Sequence, residues 1–340
     1  MDIGTLIDND AGMKRDDILG AVIRACSTSD GQLWGLPSGY SVETLVGKTE
    51  TLGGRTSWTF SEMLDFAKTL PEGTTLMQGL SQQSVFYQLD GLFTQFIDLE
   101  NHTCDFENQN FYDTLNYIAS LPAEYDYSAD RNRDNRYEKF QNGQIALYSM
   151  WMHDAASILE PECVFNTKDY TFIGYPTYGE NSRGGIISCS NIFVVTNFCK
   201  NTDIAWDFIK SVVAPDDDGD SIRYSGGDMP ILRESLRKVC EGFYDYEFEF
   251  YYSGGGGYGP GDPDNPRTQD DLDDFTPEHT EALINYIDND CGSPITEAMP
   301  TELQNIISEE ITSFTGGAKT AEECAKVIQS RAKIWLAEHE

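Results

Sequence analysis

Residues 171–213 switch between two kinds of hydrophobic pattern, and that switch narrows the fold to the α/β class. Residues 170–174 read as a short strand that stops at Tyr175-Pro176, because proline cannot donate to a sheet ladder and holds its predecessor extended. Residues 177–185 are polar and glycine-rich, the composition of a surface loop. Residues 192–196, Ile-Phe-Val-Val-Thr, are a continuous apolar, β-branched run, which predicts a strand buried on both faces. Asn201, Thr202 and Asp203 then offer helix N-caps, and Ile204, Ala205, Phe208, Ile209 and Val212 recur on one helical face. The order strand, loop, buried strand, turn, amphipathic helix is that of a sheet covered by helices.

The chain has 340 residues, enough for about two domains. A hydrophobic content of 39% with 12% aromatics supports packed cores rather than disorder. The formal net charge of −34 opposes binding to nucleic acid, anionic lipid or anionic small molecules. Neutral and cationic ligands remain. No apolar run approaches the roughly 20 residues that span a bilayer. Met1-Asp2-Ile3-Gly4 supplies neither the basic nor the apolar region of a signal peptide.

Chemistry-bearing motifs are few. The eight cysteines contain no CxxC pair and read mainly as buried free thiols. Four histidines stand at no metal-ligand spacing, so no metal and no cofactor is expected. Asp8 and Asp10 alternate like the start of a calcium loop but lack its glycine and closing glutamate. The glycines of residues 253–261 lack the Lys-Ser/Thr of a phosphate-binding loop. No nucleophile elbow or zinc-protease motif occurs. Paired carboxylates for glycoside hydrolysis are not excluded among fifty-seven acidic residues, so a secreted glycosidase is the alternative function.

Local signals place further elements. Residues 16–25 read as a helix with Ile18, Leu19, Val22 and Ile23 on one face. Thr59 with Glu62, and Thr320 with Glu323, have capping-box spacing at the starts of two helices. Residues 82–96 and 106–118 read as helices, and 144–149 as a strand after a helix end at Gly143. Residues 276–287 follow a Thr-Pro helix start, and residues 308–314 end in glycine. Trp34 reads as a core aromatic.

Taken in order, several segments resemble one family. They are Gly31-Gln-Leu-Trp-Gly-Leu-Pro, the Trp58-Thr-Phe-Ser-Glu-Met-Leu helix start, and Phe140-Gln-Asn-Gly-Gln-Ile-Ala-Leu. With them go Gly174-Tyr-Pro-Thr, Gly184-Gly185, Ala205-Trp-Asp-Phe-Ile-Lys, and the helix pair from Glu309-Glu-Ile to Arg331. This series resembles family 1 of the extracellular solute-binding proteins of ABC importers, the carbohydrate-binding group. The resemblance implies a helix-rich α/β fold of the two-lobe, type II periplasmic-binding-protein kind. It implies a first lobe whose N-terminal start is absent here. Residues 1–45 would be the remainder of that lobe with a crossing strand, 46–185 mainly the C-terminal lobe, and 186–340 the return between lobes with C-terminal helices.

The resemblance also implies a non-enzymatic protein that holds a neutral carbohydrate in an interlobe cleft by aromatic stacking and hydrogen bonds. Its partners would be the sugar and the membrane permease. The protein would be a monomer outside the cell, its parent lipid-anchored. By position the ligand contacts are Tyr40 and Ser41 on the crossing strand, and Trp151 and His153 in the bend after the 144–149 strand. Arg183 and Gly185 lie on the glycine loop, and Tyr258 is an aromatic on a second loop.

Overall fold

The structure is a computed structural model, and it describes residues 1–28, 30–89, 91–125, 134–177, 183–214, 228–244, 275–293 and 299–339. The chain forms two compact units. One comprises Met1–Thr56, Tyr148–Gly174 and Arg183–Thr296; the other comprises Ser57–Leu147, Tyr175–Ser182 and Glu297–Glu340. The boundaries expected at 45 and 185 fall inside one strand and at the first residue of another. Each unit takes in three separate stretches of chain.

The first unit is built on β1 (Leu36–Lys48), the longest strand. Its neighbours are β5 (Ile145–Met152), which ends in this unit, and β7 (Gly185–Phe193); β6 (Tyr170–Phe172) pairs with its last residues. β1 and β7 run antiparallel from Leu36 opposite Phe193 to Glu43 opposite Ile186. β8 (Cys291–Ser293) adds to β7 in parallel. Helices Gly20–Ala25 and Pro277–Asp290 cover one side of this sheet. Arg24 Nη2 donates to the carbonyls of Asp288 and Cys291, each at 2.7 Å, and Arg233 ion-pairs with Asp288.

Three expectations change here. The strand expected at 192–196 lies earlier, in residues 185–193, and its apolar tail is only partly covered: Ile192 and Val194 are exposed, while Val195 is buried. Phe193 is the last residue that β1 pairs, so the apolar run beyond it has no ladder to join. The helix Thr202–Val213 forms as expected, but it buries Trp206, Ile209, Val212 and Val213 and exposes Ile204 and Phe208. Trp206 sets the rotation: its Nε1 donates to Asp10 at 2.7 Å, and Lys210 pairs with the same carboxylate at 2.8 Å. Those bonds hold the Asp10 carboxyl far below the usual carboxylate range, Lys210 having the larger effect. Asp8 pairs with Arg15 at 2.8 Å, so both carboxylates of the calcium-like pattern are engaged by cations. Trp34, expected in the core, is partly exposed.

In the second unit β2 (Thr75–Met77) pairs in parallel with the opening residues of β5. β3 (Ile97–Asp98) and β4 (Thr103–Cys104) form a small hairpin. The segment expected as one helix over 82–96 is instead two short helices, Val85–Gln88 and Gly91–Thr94. Both capping boxes form, starting helices Phe60–Thr69 and Ala321–Glu338. The core gathers Phe96, Phe106 and Phe111, with ring centroids 5.0–5.8 Å apart. Gln329 is buried beside it and fully used: Oε1 accepts from Phe106 N at 2.6 Å, and Nε2 donates to Cys104 O at 2.9 Å. The buried Glu310 opposes its own burial with hydrogen bonds from Lys319 and Arg331, which bring its pKa below normal.

Candidate functional site

Side chains alternate along a strand, and residues directly opposite in an antiparallel pair share a face. The β1–β7 register therefore sorts its residues into two sets. Tyr40, Val42 and Thr44 share one face with Cys189, Ile187 and Gly185. Gly39, Ser41 and Glu43 share the other with Ser190, Ser188 and Ile186.

The first face is closed. Tyr40, Val42, Thr44 and Ile187 have no solvent exposure, and the Thr44 hydroxyl hydrogen-bonds the Tyr286 hydroxyl of the covering helix. A Cβ at Gly185 would lie 2.5 Å from Cys291 Sγ and 3.1 Å from Tyr286 Oη. The room that Gly185 leaves is thus taken by the protein's own Cys291 and Tyr286. Tyr40, expected among the ligand contacts, is interior. Its hydroxyl makes no hydrogen bond with any described residue, and burial pushes its pKa well above the ordinary phenol value.

The second face is polar. Tyr40 exchanges backbone hydrogen bonds with Met229 (3.0 and 2.9 Å) in an antiparallel bridge, which sets Asp228 beside Ser41. From there the Asp228 carboxylate reaches across to the Ser190 hydroxyl. Glu43 is the one exposed residue of the thirteen in β1. Protein nevertheless crowds it closely enough that burial raises its pKa, and no charge or hydrogen bond offsets that. A carboxylate, three serine hydroxyls and a second carboxylate so line one face of a central strand. Sequence reading found only Ser41 among them. The signal was the alternation of the polar Ser41, Glu43, Ser188 and Ser190 with the apolar Val42, Ile187 and Cys189. It went unread because residues 177–185 looked like loop and masked where the strand began.

On the neighbouring strand β5, burial changes character along the chain. Residues 145–148 are buried, and then Ser149 and Trp151 turn outward while Met150 and Met152 stay in. Trp151 is 59% exposed, and its ring lies 5.6 Å from that of His153. His153 Nε2 is 3.2 Å from Asp154, which in turn caps the following 3-10 turn through the backbone N–H of Ser157 at 2.9 Å. The strand end, the bend and the cap hold the indole and the imidazole together at the surface. Arg183 is exposed and donates through Nε to the Asn289 carbonyl at 2.8 Å. Its charge acts on Asp290 and Arg24 and not on Glu43. Ser41 is almost fully buried. The structure thus puts Ser41 on the polar face, pairs Trp151 with His153, and sets Tyr40 and Gly185 on the closed face. Tyr258 lies outside the described residues. No group of three or more His, Cys, Asp or Glu side chains able to hold a metal occurs among the described residues.

Residues 2–236 match the profile of the bacterial extracellular solute-binding proteins. Solved structures of similar fold include the sugar-binding protein MalE of Xanthomonas citri, at 12% identity and TM-score 0.55, covering 100% of this chain and 79% of that one. An extracellular solute-binding protein of family 1 from Alicyclobacillus acidocaldarius matches at 12% identity and TM-score 0.55, covering 97% and 78%. A solute-binding protein of Agrobacterium radiobacter K84, solved with ribitol, matches at 14% identity and TM-score 0.52, covering 98% and 80%. No curated protein matches the chain in sequence. A profile match over more than half the chain, on the two-lobe α/β fold of type II periplasmic binding proteins, establishes that the chain belongs to the bacterial extracellular solute-binding proteins.

Proposed function

We propose that the chain is the substrate-binding component of an ABC importer and takes a neutral carbohydrate. The exposed indole of Trp151 carries this reading. A tryptophan that leaves a buried strand to stand open at the surface offers a flat apolar platform, and the C–H face of a sugar ring fits such a platform. Ring hydroxyls need polar partners, which the serine and carboxylate face of the neighbouring strand supplies. The net charge of −34 turns away anionic solutes. Structures of the same fold hold ribitol and α-D-tagatose. The reading includes a membrane permease as partner, a monomeric binding protein, and a place outside the cell with the parent protein lipid-anchored.

The test is a thermal-shift and calorimetric panel of D-glucose, maltose, ribitol and D-tagatose, with amino acids as controls. A probe at about 100 times its Kd stabilises the native state by about 2.7 kcal/mol. Trp151→Ala is expected to weaken the best probe at least tenfold, about 1.4 kcal/mol, without loss of fold. Unchanged affinity in the folded variant removes Trp151 from the site. A probe consumed during the assay replaces the binding protein by a glycosidase.

A further inference from the structure

Three acidic side chains drawn into this fold each have a cation: Asp10 has Lys210, Asp288 has Arg233, and Glu310 has Lys319 and Arg331. Among the described residues Glu43 has none. It sits in the middle of a central strand, where sheets bury apolar side chains, and it faces outward. Ser41 lies two residues before it on the same face, with Ser188 directly opposite Ser41. Side-chain roots in such an array are about 4.5–8 Å apart, so that one small molecule on the exposed Glu43 lies beside Ser188 and within reach of the nearly buried, unpartnered hydroxyl of Ser41. The side chains of Ser41, Ser188 and Glu43 make no hydrogen bond with any described residue. An ionised carboxylate only accepts hydrogen bonds, whereas serine hydroxyls both donate and accept.

We propose that Glu43, flanked by Ser41 and Ser188, is a specificity-determining subsite that accepts hydrogen bonds from two adjacent hydroxyls of the bound sugar. Vicinal ring hydroxyls present two donors side by side, which is what both oxygens of one carboxylate take in a bidentate contact. The serines complete the hydrogen bonding of the same or the next hydroxyl. A sugar acid meets Glu43 and Asp228 with like charge and is rejected, so the subsite selects neutral sugars over their uronates. The burial that raises the Glu43 pKa fits this role: an unliganded carboxylate there lacks the donors that a diol brings.

The inference rests on the carbohydrate reading, and the experiment separates the two. Titration calorimetry with D-glucose, maltose, ribitol and D-tagatose identifies the tightest neutral probe for the wild-type protein. Glu43→Gln, Glu43→Asp and Trp151→Ala are then titrated with that probe, and the wild type and Glu43→Gln with D-glucose, D-glucuronate and D-glucosamine. Glu43→Gln is expected to weaken binding tenfold or more, with an unliganded melting temperature no lower than wild type. Glu43→Asp is expected to recover part of the loss, and glucuronate is expected not to bind. Wild-type affinity in Glu43→Gln, with binding lost in Trp151→Ala, overturns the Glu43 subsite and leaves the carbohydrate reading standing. Glucosamine bound tenfold more tightly than glucose, only when Glu43 is present, replaces the diol by an ammonium. No binding of any neutral probe to the wild type overturns both.

Discussion

The two faces of the β1–β7 ladder are made by the same residues' neighbours, yet they do opposite work. On one, Tyr40, Val42, Thr44 and Ile187 are sealed beneath the helix that carries Tyr286, and even the missing side chain of Gly185 is filled by Cys291 and Tyr286. On the other stand the hydroxyls and carboxylates of Ser41, Ser188, Ser190, Asp228 and Glu43, with Glu43 exposed and Ser41 nearly buried; Ser190 and Asp228 are tied to each other, and the other three side chains make no hydrogen bond among the described residues. The difference shows how a fold of this kind positions a site. Register locks the strands through the closed face, because a slip of one residue would turn Glu43 inward and Val42 outward. The open face inherits that precision without contributing to it. Substitutions on the closed face should therefore move stability, and substitutions on the open face should move affinity.

The largest expected effect tests the closed face. Gly185→Ala places a Cβ 2.5 Å from Cys291 Sγ and 3.2 Å from the Asp290 carbonyl, a backbone atom that cannot swing aside. Overpacking of this kind costs about 1–3 kcal/mol, read as a lower urea midpoint. If the variant is as stable as wild type but loses sugar affinity, Gly185 approaches the ligand and the contrast between faces fails there.

A change of opposite sign comes next. Tyr40 is buried with a hydroxyl that has no hydrogen-bond partner among the described residues. Deleting an unsatisfied buried hydroxyl while keeping the ring gains about 1 kcal/mol, so Tyr40→Phe should unfold at higher urea. Its sugar affinity should match wild type. A drop in affinity would put the hydroxyl on the ligand and make Tyr40 the point where the closed face opens.

How much of this was legible depended on whether the cause was local. The capping boxes at Thr59–Glu62 and Thr320–Glu323 depend on four residues each, and both form. The bend after β5 and its exposed tryptophan were readable because a strand, an aromatic and the N-cap Asp154 follow one another directly. The burial of residues 192–196 was not, because hydrophobicity states what a strand would bury and not whether a partner strand reaches it. The face of helix Thr202–Val213 was misjudged because its rotation is set by Asp10, nearly two hundred residues away. Glu43 and Asp228 were hidden for a different reason. In a chain with fifty-seven acidic residues, one more carboxylate carries no contrast. Only register and the neighbours in space separate those two from the rest.

The smallest expected effect bears most directly on the open face. Glutamate titrates near about 4.3 in an unfolded chain. In the folded protein burial raises the Glu43 value, so between the two values the native state holds more protons than the unfolded one. Stability therefore falls as pH rises through that window, and the penalty is complete above the folded value. Glu43→Gln removes a charge that burial disfavours and removes no partner. The unliganded variant should be at least as stable as wild type at pH 7, with the gap narrowing toward pH 4, where the side chain is mostly protonated in both states. The gap should be small, because Glu43 is partly solvated. Urea midpoints at pH 4, 5.5 and 7 read it directly. A variant less stable than wild type at pH 7 would mean that the carboxylate stabilises the fold, and the two faces would then differ less than their side chains indicate. The predicted result leaves a glutamate on a central strand at a cost to stability, which only a ligand supplying the missing donors can offset.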